Sequence, residues 1–216
     1  MDGVLVDSEI WWDEVRIDFA RRHDRVWTTE DRAAVMGANS RGWAQIMRDR
    51  LDLDIPVEDI ERAIVDGVVE RFAAEGAPGI DGAVETVRRI AADRPVAVAS
   101  SAHRDVIDAA LAATGLTELF AAVVSSDDVP VGKPAPDVYL EAARRLGVPP
   151  ATCLVVEDSY NGVRSGIAAG MTVVLVPNHA VPPAAGTHDL ADVVLERLAD
   201  LDPASIAPAR AGAGAA

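Results

Sequence analysis

The sequence contains a single cysteine, Cys153, so an intrachain disulfide and a cysteine-cluster metal site are both excluded. Because Cys153 lies in an apolar run, we interpret it as a buried structural thiol. The chain also lacks any apolar run of about 18 residues and any charged segment leading into an apolar stretch at the N-terminus. We therefore expect a cytoplasmic protein with no membrane partner.

Positive charge is scarce as well. The formal net charge is -15 and the pI is about 4.5, which disfavours nucleic acid and anionic membranes as partners. A phosphate site in such a chain must be local, built from a metal, a few cations and backbone N–H groups. Of the 20 basic residues, 19 are Arg and only Lys133 is Lys. Retention of one lysine indicates a position that needs a compact point charge, so Lys133 is a candidate functional residue.

Half of the 216 residues are hydrophobic, and they occur in short runs that alternate with amphipathic stretches. Apolar runs without polar alternation are typical of strands buried on both faces, and helical stretches between them favour parallel pairing. The pattern predicts an α/β fold with a doubly wound, Rossmann-like parallel sheet. The predicted strands are Val96–Ala99, Ala121–Ser125, Cys153–Val156 and Thr172–Val176.

Residues 9–76 have a different pattern, with several helical segments and no clear strand. We interpret this stretch as an all-helical insertion on the α/β core, which then comprises residues 1–8 and 77–202. Residues 203–216 are mostly Ala, Gly and Pro with little to bury, and we expect them to be disordered.

Polar residues follow the predicted strands at the edge where open α/β sheets bind ligands. Carboxylates suit Mg²⁺, a lysine and a hydroxyl can neutralise a transferring phosphoryl group, and a carboxylate can also act as a nucleophile. This combination predicts phosphoryl transfer. The candidate residues are Asp2, Ser100, Ser101, Lys133, Glu157 and Asp158.

Four segments together resemble the ordered motifs of the haloacid dehalogenase superfamily. They are Met1–Ser8, Val96–Ser101, Gly132–Asp137 and Val155–Ser159. Each motif alone is weak, but their order and spacing fit and they cover nearly the whole chain. The helical insertion directly after the first motif resembles the cap domain of the family's beta-phosphoglucomutase-like phosphatase branch.

The resemblance assigns a role to each matching residue. Asp2 would be the general acid and base, and its backbone carbonyl would face Mg²⁺. Ser100, with Ser101 beside it, would bind the phosphoryl group, while Lys133 would balance the charges of the nucleophile and the phosphate. Asp158 would bind Mg²⁺, the implied cofactor.

Glu157 would lie beside Asp158. It would either bind Mg²⁺ as a further ligand or contact a ligand without binding the metal itself. The family's nucleophilic aspartate and the apolar strand leading to it would precede Met1. We therefore expect the true start to lie ~5–10 residues upstream, since a buried strand has about that length. A chain that begins at Met1 is expected to be an inactive phosphate-binding pseudoenzyme.

The resemblance implies an Mg²⁺-dependent phosphatase that acts on a small phosphorylated metabolite, as a monomer or weak dimer. The alternative is a phosphosugar mutase, in which the cap carries a His shortly after the first motif. Trp12 occupies the matching position here, which favours hydrolysis. Two cap residues are candidates for substrate contact: Trp12, and Arg41 if the substrate carries a second anionic group.

Overall fold

The computed structural model describes residues 1–35, 38–179 and 181–207. Its strands pair only in parallel, as predicted, and four of them coincide with the predicted strands to within one residue at each end. A fifth strand was not predicted because a two-residue element is too short to show a pattern. The strands are β1 Val96–Ser100, β2 Phe120–Ser125, β3 Leu154–Glu157, β4 Thr172–Leu175 and β5 Val193–Val194.

The five strands form two sheets, where the sequence predicted one. Strand β1 pairs with β2, and β3, β4 and β5 form the second sheet in that order. Within the described ranges, no strand pairs with the free edge of β1 or of β3. A cavity of about 580 Å³ lies between these two edges, with apolar walls that include Leu5, Val98 and Val155. The two half-sheets therefore face each other across an apolar cleft.

Helices cover both sides of the strands, as a doubly wound fold requires. One apolar cluster includes Val106 and Ile107 of the helix after β1, whereas a second includes Val138 of the helix after β2 and Val163 of the helix after β3. The core helices are α5 Ala83–Ala91, α6 Arg104–Thr114, α7 Asp137–Leu146, α8 Tyr160–Ala168 and α9 Thr187–Leu190.

The predicted helical cap follows the first motif. Its longest helix buries Ile60, Ile64, Val68 and Phe72, which lie one turn apart and form a continuous apolar stripe. The stripe faces the other cap helices, and the Trp11 and Phe72 rings meet edge to face at 5.0 Å. The cap helices are α1 Glu9–Arg22, α2 Thr29–Val35, α3 Ser40–Arg50 and α4 Val57–Glu75. Helix α4 also packs on α6, which joins the cap to the core.

The described part of the chain continues into the segment that the sequence predicts to be disordered. Pro203–Ser205 forms a 3₁₀ turn, and Ile206 packs against the core. Ile206 supplies an apolar contact that the Ala- and Pro-rich composition concealed. Residues 208–216 lie outside the described residues. None of the helices in the described ranges is both long and apolar enough to cross a membrane.

Candidate active site

One cavity of about 390 Å³ collects residues from all four sequence motifs and from the cap. Parallel strands end at a common edge, so residues far apart in sequence meet there. Seven of the eight predicted site residues line this cavity: Asp2, Trp12, Ser100, Ser101, Lys133, Glu157 and Asp158. Arg41 is not among the lining residues. Its side chain is 73% exposed and pairs with Glu58 at 2.8 Å, within the cap.

Lys133 is buried beneath the cavity and is fully bonded within the protein. Its ammonium donates to the backbone oxygen of Ala99 at 3.1 Å, to the hydroxyl of Tyr139 at 3.1 Å and to Oε1 of Glu157 at 2.5 Å. These three bonds use all three donors of a lysine. The side chains of Lys133 and Glu157 are only 7% and 6% exposed, so this is a buried ion pair.

Both carboxylate oxygens of Glu157 are also occupied. Tyr139 donates to Oε1 at 2.7 Å, while the backbone N–H groups of Asp158 and Ser159 and the hydroxyl of Ser159 donate to Oε2. Burial alone would raise the pKa of Glu157, but the charges of Lys133 and of the N-terminal ammonium, together with the hydrogen bonds from Lys133 and Tyr139, outweigh it and lower the pKa to about 2. Glu157 is thus a buried anion that holds Lys133 and the turn after β3.

Asp158 faces the cavity beside residues 1–8. Burial, followed by the charge of Glu157, raises the pKa of Asp158 to about 7. The carboxylate lies directly against the α-carbon of Gly3, where φ is +72°. Asp2 and Asp158 therefore present oxygen ligands on one side of the cavity, and hard oxygen donors are the ligands that Mg²⁺ prefers. These residues fit the cation implied by the sequence.

We expect Gly3→Ala to disrupt this side of the cavity. A Cβ atom at Gly3 would overlap the Asp158 carboxylate and would also occupy a positive φ, so the acid must move. Gly170→Ala is the matched control, because its φ is +71° and nothing lies within 4 Å of the added Cβ. Mg²⁺ affinity, measured by calorimetry, should fall at least tenfold in Gly3→Ala and stay unchanged in Gly170→Ala. Equal affinities in the two variants would contradict the placement of the cation beside Gly3.

Asp2 is held by the turn that follows it. The N–H of Gly3 donates to the backbone oxygen of Val6 at 2.8 Å, and the hydroxyl of Ser8 donates to Oδ1 of Asp2. Burial raises the pKa of Asp2, which favours the protonated carboxyl. A carboxyl with a raised pKa beside a phosphate site suits a general acid.

The sequence analysis missed two residues that line the same cavity, Glu9 and Arg16. Together with Trp12 they occupy positions i, i+3 and i+7 of α1, which lie on one face of a helix. That spacing was visible in the sequence. It did not identify a site because a helix face with mixed charged and aromatic residues is equally typical of a solvated surface.

Glu61, His103 and Asp127 form a second group of potential metal ligands, with one ligand atom of each within 4.8 Å of the others. Glu61 belongs to the cap, whereas His103 and Asp127 belong to the core. The hydroxyl of Ser40 at the start of α3 donates to Asp127 at 3.0 Å, which adds a further cap–core bond. None of these four residues lines the cavity that holds Asp158. Glu61 and His103 are 42 residues apart, and His103 and Asp127 are 24 apart, so the sequence did not indicate such a cluster.

Known proteins share both the sequence and the fold. A family model for haloacid dehalogenase-like hydrolases matches residues 1–170. Hexitol phosphatase B of Escherichia coli K12 is 31% identical and is aligned over 93% of this chain and 91% of its own length. The structure of CbbY from Rhodobacter sphaeroides in complex with phosphate has a TM-score of 0.79 at 26% identity, covering 93% of this chain and 92% of that one.

Another relative is the bifunctional riboflavin kinase/FMN phosphatase of Arabidopsis thaliana, which is 30% identical over 93% of this chain. The chain spans about half, 52%, of the length of that protein. The family match covers well over half of the chain, and the structural likeness extends over 93% of it. The chain therefore belongs to the haloacid dehalogenase-like hydrolases.

Proposed function

We propose that this protein is an Mg²⁺-dependent phosphomonoesterase that acts on a small phosphorylated metabolite through an aspartyl-phosphate intermediate. The observation that carries the proposal is the meeting of Asp2, Ser100, Lys133 and Asp158 around one cavity, although they come from four separate segments. Relatives named as phosphatases of phosphorylated metabolites support the reaction class. The proposed cap, residues 9–76, covers a core of residues 1–8 and 77–202.

Asp158 and the backbone oxygen of Asp2 would hold Mg²⁺, which supplies positive charge to the phosphoryl oxygens. The hydroxyl of Ser100 lies at the end of β1 and would donate to a phosphoryl oxygen. Lys133 contributes its charge from beneath the site, since its donors are already bonded to Ala99, Tyr139 and Glu157. The saturated carboxylate of Glu157 favours a positioning role over direct binding of the cation.

In the proposed reaction an aspartate carboxylate attacks phosphorus, the bond from phosphorus to the ester oxygen breaks, and Asp2 gives its proton to that oxygen as the alcohol leaves. Asp2, now ionised, then takes a proton from water as the water attacks the aspartyl phosphate. Inorganic phosphate leaves, and both carboxyl groups return to their starting states. The raised pKa of Asp2 supports the first proton transfer.

The cleft between β1 and β3 indicates where the attacking carboxylate would come from. Both strand edges that border the cleft are unpaired within the described ranges, and its walls are apolar. A buried strand would pair with both edges and satisfy their N–H and C=O groups. The proposed occupant is an apolar strand that precedes Met1 and ends in the aspartate two residues before Asp2.

The test compares the printed chain with a chain extended by the codons immediately upstream. We expect Mg²⁺-dependent phosphate release from p-nitrophenyl phosphate only in the extended chain, and its loss in Asp158→Ala. Turnover by the printed chain that depends on Mg²⁺ and on Asp158 would refute an upstream nucleophile. Binding of phosphate without turnover in both chains would favour a pseudoenzyme.

The residue at position 12 argues against the phosphosugar mutase. Trp12, at the position where a mutase would carry its His, is buried and packs edge to face on Trp43 with ring centroids 6.0 Å apart. An indole offers no proton acceptor for a substrate hydroxyl. Hydrolysis therefore remains the favoured reaction.

A further inference from the structure

Arg16 is a buried cation in the cap whose charge has no ion-pair partner within the part of the chain that the structure describes. The residue is only 7% exposed, and its guanidinium lies over the rings of Trp12 at 5.2 Å and Trp43 at 5.3 Å. Its Nε has no hydrogen-bond partner. The side chain lines the same cavity as Ser100 and Asp158. Arg16 thus lines the site and carries a buried donor that has no acceptor.

This arrangement is costly for the protein alone. Burial lowers the pKa of Arg16 to about 10, although the charges of Glu9 and Asp13 act in the opposite direction. Glu9 and Asp13 act on this charge from a distance, since neither forms an ion pair with Arg16 in the described part of the chain. A buried donor without an acceptor destabilises a fold, and a buried charge without a partner does so more strongly.

The geometry also shows which parts of Arg16 are free. The two indoles contact the guanidinium by cation–π interactions, which offer its N–H groups no oxygen acceptor. A guanidinium has five donors and no acceptor, and its planar fork matches a carboxylate or phosphate in a bidentate manner. A hydroxyl could accept a hydrogen bond but could not neutralise the charge. An anionic ligand satisfies both requirements.

We propose that Arg16 binds a second anionic group of the substrate, a carboxylate or a second phosphate, at the end remote from the phosphate that is cleaved. This inference rests on the proposed function, since Ser100, Lys133 and Asp158 must hold the first phosphate. Arg16 then acts as a specificity residue on the cap, with Trp12 and Trp43 fixing the orientation of its fork. The substrates would be phosphorylated acids or bisphosphates, and simple phosphate monoesters would bind more weakly.

Matched ligand pairs test this without turnover. In the presence of Mg²⁺, tryptophan fluorescence of the printed chain would be titrated with 3-phosphoglycerate and with glycerol 3-phosphate, which lacks the carboxylate. A second pair, fructose 1,6-bisphosphate and fructose 1-phosphate, tests a second phosphate. We expect the doubly anionic member of at least one pair to bind roughly 10- to 100-fold more tightly, as expected for charged hydrogen bonds of about 1.5–3 kcal/mol.

Arg16→Met should abolish this preference while leaving the affinity for the singly anionic ligands unchanged, and Arg16→Lys should retain part of it. Arg22→Met is the matched control, because Arg22 lies on the exposed side of α1 and bonds only to the backbone oxygen of Asp18. Removal of an uncompensated buried cation should not lower the melting temperature of Arg16→Met. This variant should therefore remain folded and measurable.

Two outcomes overturn the inference, and they can be told apart. Equal affinity for both members of each pair, or a preference that survives Arg16→Met, would refute the role of Arg16 and leave the phosphate site intact. No binding of any phosphorylated ligand by the wild-type chain would refute the proposed phosphate site together with the role of Arg16.

Discussion

Lys133→Met should lower the free energy of unfolding by about 3–5 kcal/mol, the cost of removing one partner from a buried ion pair. The loss is large because Glu157 is buried and Lys133 supplies its one cationic contact among the residues that the structure describes. Four other donors would remain on the carboxylate, from Tyr139, Asp158 and Ser159, but none of them carries a positive charge.

Chemical denaturation monitored by circular dichroism would measure the effect. The double variant Lys133→Met/Glu157→Gln should regain most of the lost stability, because it removes the unpaired charge as well. Arg144→Met is the matched control: its pair with Glu141 is exposed on the Arg144 side, and its loss should cost less than about 1 kcal/mol. A double variant no more stable than Lys133→Met would mean that packing around the lysine, and not its charge, stabilises the site.

The same pair makes stability depend on pH in a defined direction. The pKa of Glu157 falls from 4.5 to about 2 on folding, so its contribution is present above pH 4.5 and is lost as the pH falls toward 2. In Lys133→Met the largest of the effects that lower this pKa is absent, and burial should raise the pKa above its ordinary value. The free energy of unfolding of Lys133→Met should therefore fall further below that of the wild type as the pH rises from 4 to 7. Denaturation at several pH values would measure this difference.

Asp2→Asn in the upstream-extended chain should reduce kcat/KM for an alkyl phosphate by about 10²–10⁴, the usual contribution of a general acid. The change keeps the oxygen that accepts the hydrogen bond from Ser8 but removes the proton that the leaving alcohol needs. The effect should be much smaller for p-nitrophenyl phosphate, because p-nitrophenolate leaves without protonation.

The comparison of leaving groups separates proton transfer from a structural effect. Asp18→Asn, on the exposed side of α1, is the control and should leave kcat/KM unchanged for both esters. If kcat/KM falls by the same factor for the alkyl and the aryl ester, Asp2 acts by binding the substrate or the cation, and not by protonating the leaving oxygen. For both esters kcat should fall, since Asp2 must also activate water in the second step.

The sequence by itself determined the α/β architecture, the helical cap and the residues at the strand ends. Fully apolar runs such as residues 96–99 and 173–175 can be stable only between two layers of helices, so the pattern predicts parallel strands. Once the strands are parallel, the residues after them must share one edge, which is why Ser100, Lys133 and Asp158 could be predicted as one site. The same reasoning predicts Mg²⁺ at this edge, from the ligand types present.

Only the tertiary structure indicates which role each of those residues can take. Tyr139 and Ser159 saturate Glu157 by contacts that no spacing reveals, and that saturation favours positioning over metal binding. The sequence likewise could not predict that β1 and β3 are unpaired, because hydrogen bonding between strands depends on which strands are neighbours in space. Arg16 is the clearest case, since its sequence position resembles an ordinary surface arginine. Burial and two indoles from separate helices turn it into a cation that requires a ligand, because charge is costly only where water and counter-charges are excluded.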